Sequence, residues 1–178
     1  MALKKIVVIG PESTGKSTLC ELLAQHYDST WCPEFAREYL LTNGKAYGYD
    51  DLLHIAKGQV ALEDEIAAAT HHVKPLFIDT DMYVMKVWCE FVFGQCHRFI
   101  LDQIVKRKYD LYLLCNIDLP WAADELREYP DVASRKKLYA MYKDLLVNQP
   151  VPWVDISGDH ASRLAVAVDA VDRLLRED

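Results

Sequence analysis

Residues 6–9 form an apolar, β-branched run that leads directly into a glycine-containing loop and then into a helix-forming segment. The loop has the pattern G-x-x-x-x-G-K-S and ends at Ser17. Gly10 and Gly15 permit backbone conformations that are closed to other residues, so that successive N–H groups can point inward at phosphate groups. The N-terminus of the following helix adds a positive partial charge. The sequence therefore predicts a phosphate-binding loop between a buried strand and a helix.

The Lys-Ser pair at the end of this loop indicates a nucleotide bound with magnesium. Lys16 can reach the β- and γ-phosphates as a point charge, and the hydroxyl of Ser17 can ligate Mg²⁺. An ordinary turn between a strand and a helix would require neither residue. We therefore assign contacts with the nucleotide to the whole loop and the residue after it: Gly10, Pro11, Glu12, Ser13, Thr14, Gly15, Lys16, Ser17 and Thr18.

The composition narrows the classes of partner. The chain has 178 residues and a formal net charge of −7, which argues against nucleic acid or anionic membranes as partners because both need a positive field. No apolar run approaches the length of a membrane span, and the first residues contain no signal-peptide core. We expect a single domain over residues 1–178, in the cytoplasm, with a small-molecule ligand. The sequence leaves the oligomeric state open.

Short apolar runs alternate with helical patterns along the chain. Strands are predicted at 6–9, 30–32, 76–78, 111–115 and 153–156. Helices are predicted from the end of the loop motif and at 34–41, 51–73, 82–93, 99–108, 134–146 and 164–175, with Ser134 as the cap of the sixth. This alternation indicates an α/β fold: a P-loop kinase-like parallel sheet of about five strands, with helices on both faces and ligands at the carboxyl ends of the strands.

Two aspartates follow the third predicted strand. Asp79 stands directly after the buried triplet 76–78. A carboxylate there can hold Mg²⁺ through its water shell opposite Ser17, since Mg²⁺ keeps few protein ligands and several waters. Ser17 and Asp79 are therefore the predicted metal ligands. Asp81 has two open roles, as the N-cap of the next helix or as a catalytic and substrate-binding carboxylate, and the roles can coexist.

Another acidic position follows the second predicted strand. Glu34 and Arg37 form a Glu-x-x-Arg pair that faces the space above the phosphate loop, where a phosphate acceptor would lie. In phosphoryl transfer such a carboxylate mainly orients the acceptor hydroxyl. The candidate bases are thus Glu34 and Asp81, with Glu34 favoured, and Arg37 is a candidate substrate-binding residue. The alternative is a solvated helix N-terminus with Glu34 favoured by the helix dipole and Arg37 exposed.

A polar stretch after the fourth predicted strand is expected to form a short lid at about residues 118–135, here called the lid segment. Closure of such a lid would bring arginines onto the transferring phosphate and exclude water. Arg127 and Arg135 are the catalytic candidates. In the alternative reading they are ordinary surface charges.

Aromatic residues are dense near these loops, and a planar base could stack between two of them. Trp88 and Trp121 are the candidates for binding the substrate. Trp121 has the stronger case because a loop does not need a tryptophan for its fold, whereas the helical spacing around Trp88 also fits ordinary core packing.

Four segments in this order resemble the NadR-type ribosylnicotinamide kinase domain, a family of P-loop NTPases: GPESTGKST at 10–18, EFAREY at 34–39, FIDTD at 77–81 and DLPWAADELR at 118–127. The resemblance spans nearly the whole chain and is far more specific than the phosphate loop alone. It implies a kinase that uses ATP and Mg²⁺ to phosphorylate the 5′-hydroxyl of nicotinamide riboside. We expect none of the DNA-binding or adenylyltransferase domains that accompany some family members, and therefore no regulatory or adenylyl-transfer role.

Two other functions would keep the same motifs. A nucleoside or nucleotide kinase of another specificity would differ only in its acceptor pocket. A nucleotide-dependent ATPase switch or binding module would have no acceptor. A GTPase would need an N-K-x-D motif, and the nearest candidate, residues 116–118, lacks the lysine. Turnover of a small acceptor separates a kinase from a switch.

Overall fold

A computed structural model describes residues 3–71 and 74–176 as a five-stranded parallel sheet flanked by helices. The strand order is β2-β3-β1-β4-β5, and every neighbouring pair is parallel. The elements in chain order are β1 (Lys5–Ile9), α1 (Lys16–His26), β2 (Thr30–Cys32), α2 (Phe35–Asn43), α3 (Tyr49–Ala69), β3 (Leu76–Asp79), α4 (Met82–Phe93), α5 (Arg98–Lys106), β4 (Leu111–Cys115), α6 (Val132–Val147), β5 (Trp153–Ile156) and α7 (His160–Arg176).

The central strand β1 shows why the sheet is covered on both faces. Its side chains alternate between two cores: Ile6 and Val8 pack with α1 and α7, whereas Val7 and Ile9 pack with α4 and α6. All four are fully buried. A strand buried on both faces favours a continuous apolar run over an alternating pattern. The predicted fold class is therefore confirmed, and the carboxyl ends of all five strands meet at one edge.

Several helix boundaries differ from the prediction, and for two helices the local contacts explain the difference. Helix α3 ends at Ala69 rather than at 73, because the hydroxyl of Thr70 donates to the carbonyl of Ile66 (2.7 Å) and the backbone of Thr70 turns extended. Val73, the last apolar position of the predicted pattern, lies outside the described residues. Helix α6 is capped by Asp131, whose carboxylate accepts from the N–H of Ser134 (2.7 Å). Ser134 is therefore not the cap.

A third apolar cluster joins α2, α3, α4 and α5 beside the sheet. Gly58 on α3 allows the ring of Phe35 to pack against the helix backbone, since a Cβ at this position would lie 2.1 Å from the ring. This close approach fixes the start of α2 just after β2. Glu34, the residue before the helix, is thereby held at the carboxyl edge of the sheet.

The lid segment is tied to the region of α2. The Arg37 guanidinium donates to both carboxylate oxygens of Asp124 (3.2 and 3.1 Å), and the hydroxyl of Tyr47 donates to Glu128 (2.7 Å). The Asp124 carboxylate also accepts from the N–H of Leu126 (3.1 Å). The lid segment therefore lies closed over the edge of the sheet.

No helix in the described ranges is long and apolar enough to cross a membrane.

Replacing Asp124 by alanine should loosen this closure. An exposed ion pair contributes only modestly to the free energy that holds a segment in place. We therefore expect amide hydrogen exchange over residues 122–129 to accelerate by about 2- to 5-fold. Hydrogen exchange read by mass spectrometry measures this directly. The matched control is Asp102→Ala, which removes an exposed partner of Arg98 on α5 and should leave exchange in the lid segment unchanged. Equal exchange in the wild-type and Asp124→Ala proteins would show that the pair does not hold the lid segment.

Candidate active site

A cavity of about 390 Å³ opens at the carboxyl edge of the sheet. One wall is the phosphate loop, residues 10–17, together with Asp79. Glu34, Trp88 and further aromatic side chains also line the cavity, together with residues 124–129 of the lid segment. A cleft at this edge of a parallel sheet, with a few polar groups among apolar and aromatic walls, is the usual place and composition of a ligand site.

Internal contacts hold the phosphate loop in its conformation. Gly10 has a φ of 144°, and a Cβ there would lie 2.7 Å from the carbonyl oxygen of Cys115, so that only glycine fits. The Thr14 hydroxyl and the Lys16 ammonium both donate to the carbonyl of Pro11, at 2.7 and 3.1 Å. The ammonium thus lies over the loop, where phosphate oxygens would meet it.

Ser17 and Asp79 lie together as predicted for metal ligands, since the hydroxyl of Ser17 donates to the carboxylate of Asp79. Asp79 is fully buried at the end of β3. Burial raises the pKa of Asp79, although Lys16 and the hydrogen bond from Ser17 oppose the shift. A hydroxyl and a carboxylate are hard oxygen donors that fit Mg²⁺.

The carboxyl group of Glu34 lines the cavity and accepts no hydrogen bond from any of the described residues. Its pKa is raised to about 7, chiefly by burial and then by the negative charge of Asp79, with Lys16 opposing the shift. A carboxyl group with free oxygen atoms and a pKa near neutrality can accept a proton from a bound hydroxyl. The structure therefore supports Glu34 as the candidate base.

Asp81, the other candidate base, is not among the residues that line the cavity. Its carboxylate accepts from the N–H groups of Tyr83 (2.9 Å) and Val84 (3.3 Å) and from the hydroxyl of Tyr112 (2.9 Å). Burial raises its pKa to about 7. The side chain folds back over α4 because Asp81 immediately precedes the first helical residue. The geometry supports the capping role, and a direct role with substrate stays a prediction without structural support.

The two lid arginines both contact Ser13 of the phosphate loop. Arg127 lines the cavity and donates to the hydroxyl of Ser13 (3.4 Å). Arg135 is buried outside the cavity lining and donates to the carbonyls of Ser13 (3.4 Å) and Leu119 (3.3 Å). Its Nε has no partner among the described residues. Arg127 is thus closer to a place where a transferring phosphate would lie.

Arg37 lies at the cavity as expected, whereas Trp121 does not. Arg37 lines the cavity, but its guanidinium is engaged by Asp124 of the lid segment. Trp121 is not among the cavity-lining residues; its ring packs against the guanidinium of Arg135, 5.6 Å from the centroid. The loop tryptophan therefore supports an arginine, and the structure does not bring it to the acceptor side of the cavity.

Trp88 lines the acceptor side with a fixed orientation. Its indole N–H donates to the hydroxyl of Tyr47 (2.9 Å), which in turn donates to Glu128 of the lid segment (2.7 Å). Sequence reasoning did not identify Tyr47, Tyr129 or Tyr142, which also line the cavity. They come from a loop, the lid segment and α6, and no local pattern distinguishes them from other tyrosines.

Glu12 makes a contact with the lid segment that the sequence did not predict. Its carboxylate accepts hydrogen bonds from the N–H groups of Glu128 (2.9 Å) and Tyr129 (3.2 Å). The phosphate loop is therefore bonded directly to the lid segment. Burial raises the pKa of Glu12, with those two N–H groups and Lys16 opposing the shift.

Curated proteins of similar sequence include NadR proteins from two bacteria. The trifunctional NAD biosynthesis/regulator protein NadR of Escherichia coli strain K12 is 29% identical over 180 residues, covering 98% of this chain and 43% of that protein. The NadR protein of Salmonella typhimurium strain LT2 is 28% identical with the same coverage. The chain thus spans less than half the length of these relatives.

Solved structures share the fold. The crystal structure of NadR in complex with NR has a TM-score of 0.82 and 23% identity, covering 97% of this chain and 50% of that one. Thymidylate kinase from Ehrlichia chaffeensis has a TM-score of 0.70 at 14% identity, covering 97% of this chain and all of that chain. The family described as an AAA domain matches residues 5–163, and the chain therefore belongs to this AAA domain family.

Proposed function

We propose that this protein is an ATP-dependent kinase that phosphorylates the 5′-hydroxyl of nicotinamide riboside to give nicotinamide mononucleotide, with residues 1–178 acting as one P-loop kinase domain. The observation that carries the proposal is the cavity itself. It places a phosphate loop, an unpaired carboxyl group and a set of aromatic walls around one space. The likeness to NadR supports the same reading, and a second NadR structure, which contains NAD and AMP-PNP at 22% identity, supports ATP as the donor.

On the donor side, backbone N–H groups of the phosphate loop bind the phosphates of ATP and Lys16 neutralises the β- and γ-phosphates. Ser17 and Asp79 are the residues that would hold Mg²⁺. Bound there, Mg²⁺ supplies positive charge to the phosphate oxygens. These assignments are consistent with the burial of Asp79 and its contact with Ser17.

On the acceptor side, Glu34 orients the 5′-hydroxyl and accepts its proton. Arg127 stabilises the negative charge on the transferring group, and Arg135 holds Ser13 of the phosphate loop. The closed lid segment excludes water, which protects ATP from hydrolysis until an acceptor is bound.

The chemistry of the acceptor pocket favours a cationic ring. Tyr47, Trp88 and Phe91 contribute aromatic side chains to the lining, with the ammonium of Lys137 over the ring of Phe91, and the carboxyl groups of Glu34 and Glu128 lie in the same lining. Nicotinamide riboside carries a positively charged pyridinium, which aromatic faces and carboxylates both attract. A neutral nucleobase would gain only the stacking contribution.

A panel of acceptors tests the proposed function. Nicotinamide riboside, thymidine and uridine are each incubated with ATP and Mg²⁺, and ADP release is compared with a control without acceptor. We expect nicotinamide riboside to have the highest kcat/KM and ATP hydrolysis without acceptor to be slow. Lys16→Ala is the negative control, since it removes charge from the β- and γ-phosphates without touching the core.

Two results would contradict this proposal at different levels. A much higher kcat/KM for thymidine would leave a nucleoside kinase of another specificity. ADP release that no acceptor stimulates would favour the ATPase switch or binding module.

The role of Glu34 predicts a dependence on pH. A carboxyl group accepts a proton only when ionised, so the kcat/KM for the acceptor should rise as pH increases through about 7, the raised pKa of Glu34. Glu34→Gln should lower the rate by about 10²- to 10⁴-fold and remove this dependence. The comparison variant is Asp81→Asn, which alters the cap of α4 and should keep the wild-type pH profile. If Asp81→Asn abolishes the pH dependence and Glu34→Gln retains it, the base assignment is reversed.

A further inference from the structure

Arg163 lies in the first turns of α7 with only 3% of its surface exposed. Its guanidinium donates to three separate loops. Nη1 donates to the carbonyl of Thr14 in the phosphate loop (2.9 Å), and Nε donates to the carbonyl of Gly158 after β5 (2.8 Å). Nη2 donates to the carbonyl of Asn116 after β4 (3.0 Å) and pairs with the carboxylate of Asp118.

The contact with Thr14 follows from the geometry of a phosphate loop. When successive N–H groups turn inward toward a phosphate, carbonyl groups of the same backbone turn outward and need donors of their own. Thr14 is itself buried, with 1% of its surface exposed, so its carbonyl depends on a protein donor. Arg163 supplies that donor from a position 149 residues along the chain.

The charge of this buried arginine is compensated locally. Burial opposes the ionisation of Asp118, but the N–H of Gly158 and the guanidinium of Arg163 outweigh burial and lower the pKa of Asp118. Asp118 accepts from the N–H of Gly158 at 2.6 Å. The same ion pair therefore joins the loops after β4 and β5 to each other.

These loops flank the phosphate loop away from the cavity. None of Asn116, Asp118, Gly158 and Arg163 lines the cavity. A Cβ at Gly15 would lie 3.3 Å from a methyl group of Leu119 and 3.8 Å from the ring of His160, so the loop after β4 and the first residue of α7 both lie beside the start of α1. Arg163 is hydrogen-bonded to all three of these backbone segments.

We propose that Arg163 is a positioning residue for nucleotide binding: it holds the phosphate loop in its phosphate-accepting geometry without touching the nucleotide. The inference rests on the proposed function for the identity of that nucleotide as ATP. Loss of the guanidinium releases the Thr14 carbonyl and the two adjoining loops together. Weaker ATP binding follows, because the loop must then be ordered at the moment of binding.

The test compares Arg163→Met with Arg107→Met. Like Arg163, Arg107 is largely buried, at 9% side-chain exposure, and does not line the cavity. It also pairs with carboxylates, but these are Glu63 and Asp64 on α3 and not groups beside the phosphate loop. Thermal unfolding and the Kd for MgATP, measured by calorimetry without acceptor, are determined for each variant. We expect Arg163→Met to weaken MgATP binding by about 10-fold or more, whereas Arg107→Met lowers the unfolding temperature and leaves the Kd within about 2-fold.

Arg163→Lys keeps the test decisive if the methionine variant does not fold. Lysine retains the charge but presents a single ammonium group, which cannot reach all four acceptors. We expect an intermediate Kd for MgATP, and in turnover a raised KM for ATP with an unchanged KM for the acceptor. An unchanged Kd in a folded Arg163 variant, or a Kd that weakens equally in the Arg107 variant, would overturn the proposal.

The readout separates this inference from the proposed function. ATP affinity is measured without acceptor, so a failure to phosphorylate nicotinamide riboside leaves the comparison of the arginine variants intact. If Arg163 proves irrelevant to ATP binding, the acceptor panel still stands.

Discussion

The backbone of Gly10 packs directly against the carbonyl of Cys115, with no room for a side chain between them. This contact holds the end of β1, and the loop that leaves it, against the end of β4. Consecutive residues of the loop then engage different parts of the protein. Glu12 and Ser13 accept hydrogen bonds from the lid segment, and Thr14 accepts one from Arg163. Ser17, at the end of the loop, reaches Asp79 on β3. The loop therefore sets the relative positions of the lid segment, the sheet edge and α7.

The electrostatics of the cavity follow from its burial. Glu12, Glu34 and Asp79 all have raised pKa values for which burial is the leading cause, and Lys16 opposes the shift in each case. The ammonium group of Lys16 therefore interacts electrostatically with all three carboxyl groups. Glu12 and Asp79 also accept hydrogen bonds, whereas Glu34 accepts none from the described residues. This difference is the physical reason for choosing Glu34 as the group that meets the acceptor hydroxyl.

The fold and the phosphate side of the site were predictable because their signals are local. The run at 6–9, the loop after it and Asp79 after β3 each depend on residues that are close in sequence. Helix α4 is bounded as predicted at Met82–Phe93, since Asp81 caps its start and Gly94 its end. The cap of α6 was assigned to Ser134, and Asp131 holds that role because its side chain reaches the N–H three residues ahead.

The acceptor side of the cavity and the residues that hold the phosphate loop were less predictable, because they depend on contacts between residues far apart in sequence. Arg163 belongs to no recognisable motif, and its partner Thr14 lies near the other end of the chain. Tyr47 orients Trp88 across 41 positions, and Trp121 packs on Arg135 outside the cavity. Asp81 illustrates a third difficulty: a carboxylate after a strand and before a helix fits either a site or a cap. Only its three donors in the folded chain distinguish the two.

In the proposed mechanism, one cavity brings an acceptor hydroxyl to Glu34 in front of the phosphate loop. A crystal structure with nicotinamide riboside and a non-hydrolysable ATP analogue tests it directly. We expect the 5′-oxygen within about 3 Å of the Glu34 carboxylate, the pyridinium ring against Trp88 and the analogue's phosphates in the loop at 10–17. A 5′-oxygen beyond the reach of Glu34, or a riboside bound outside this cavity, would contradict it.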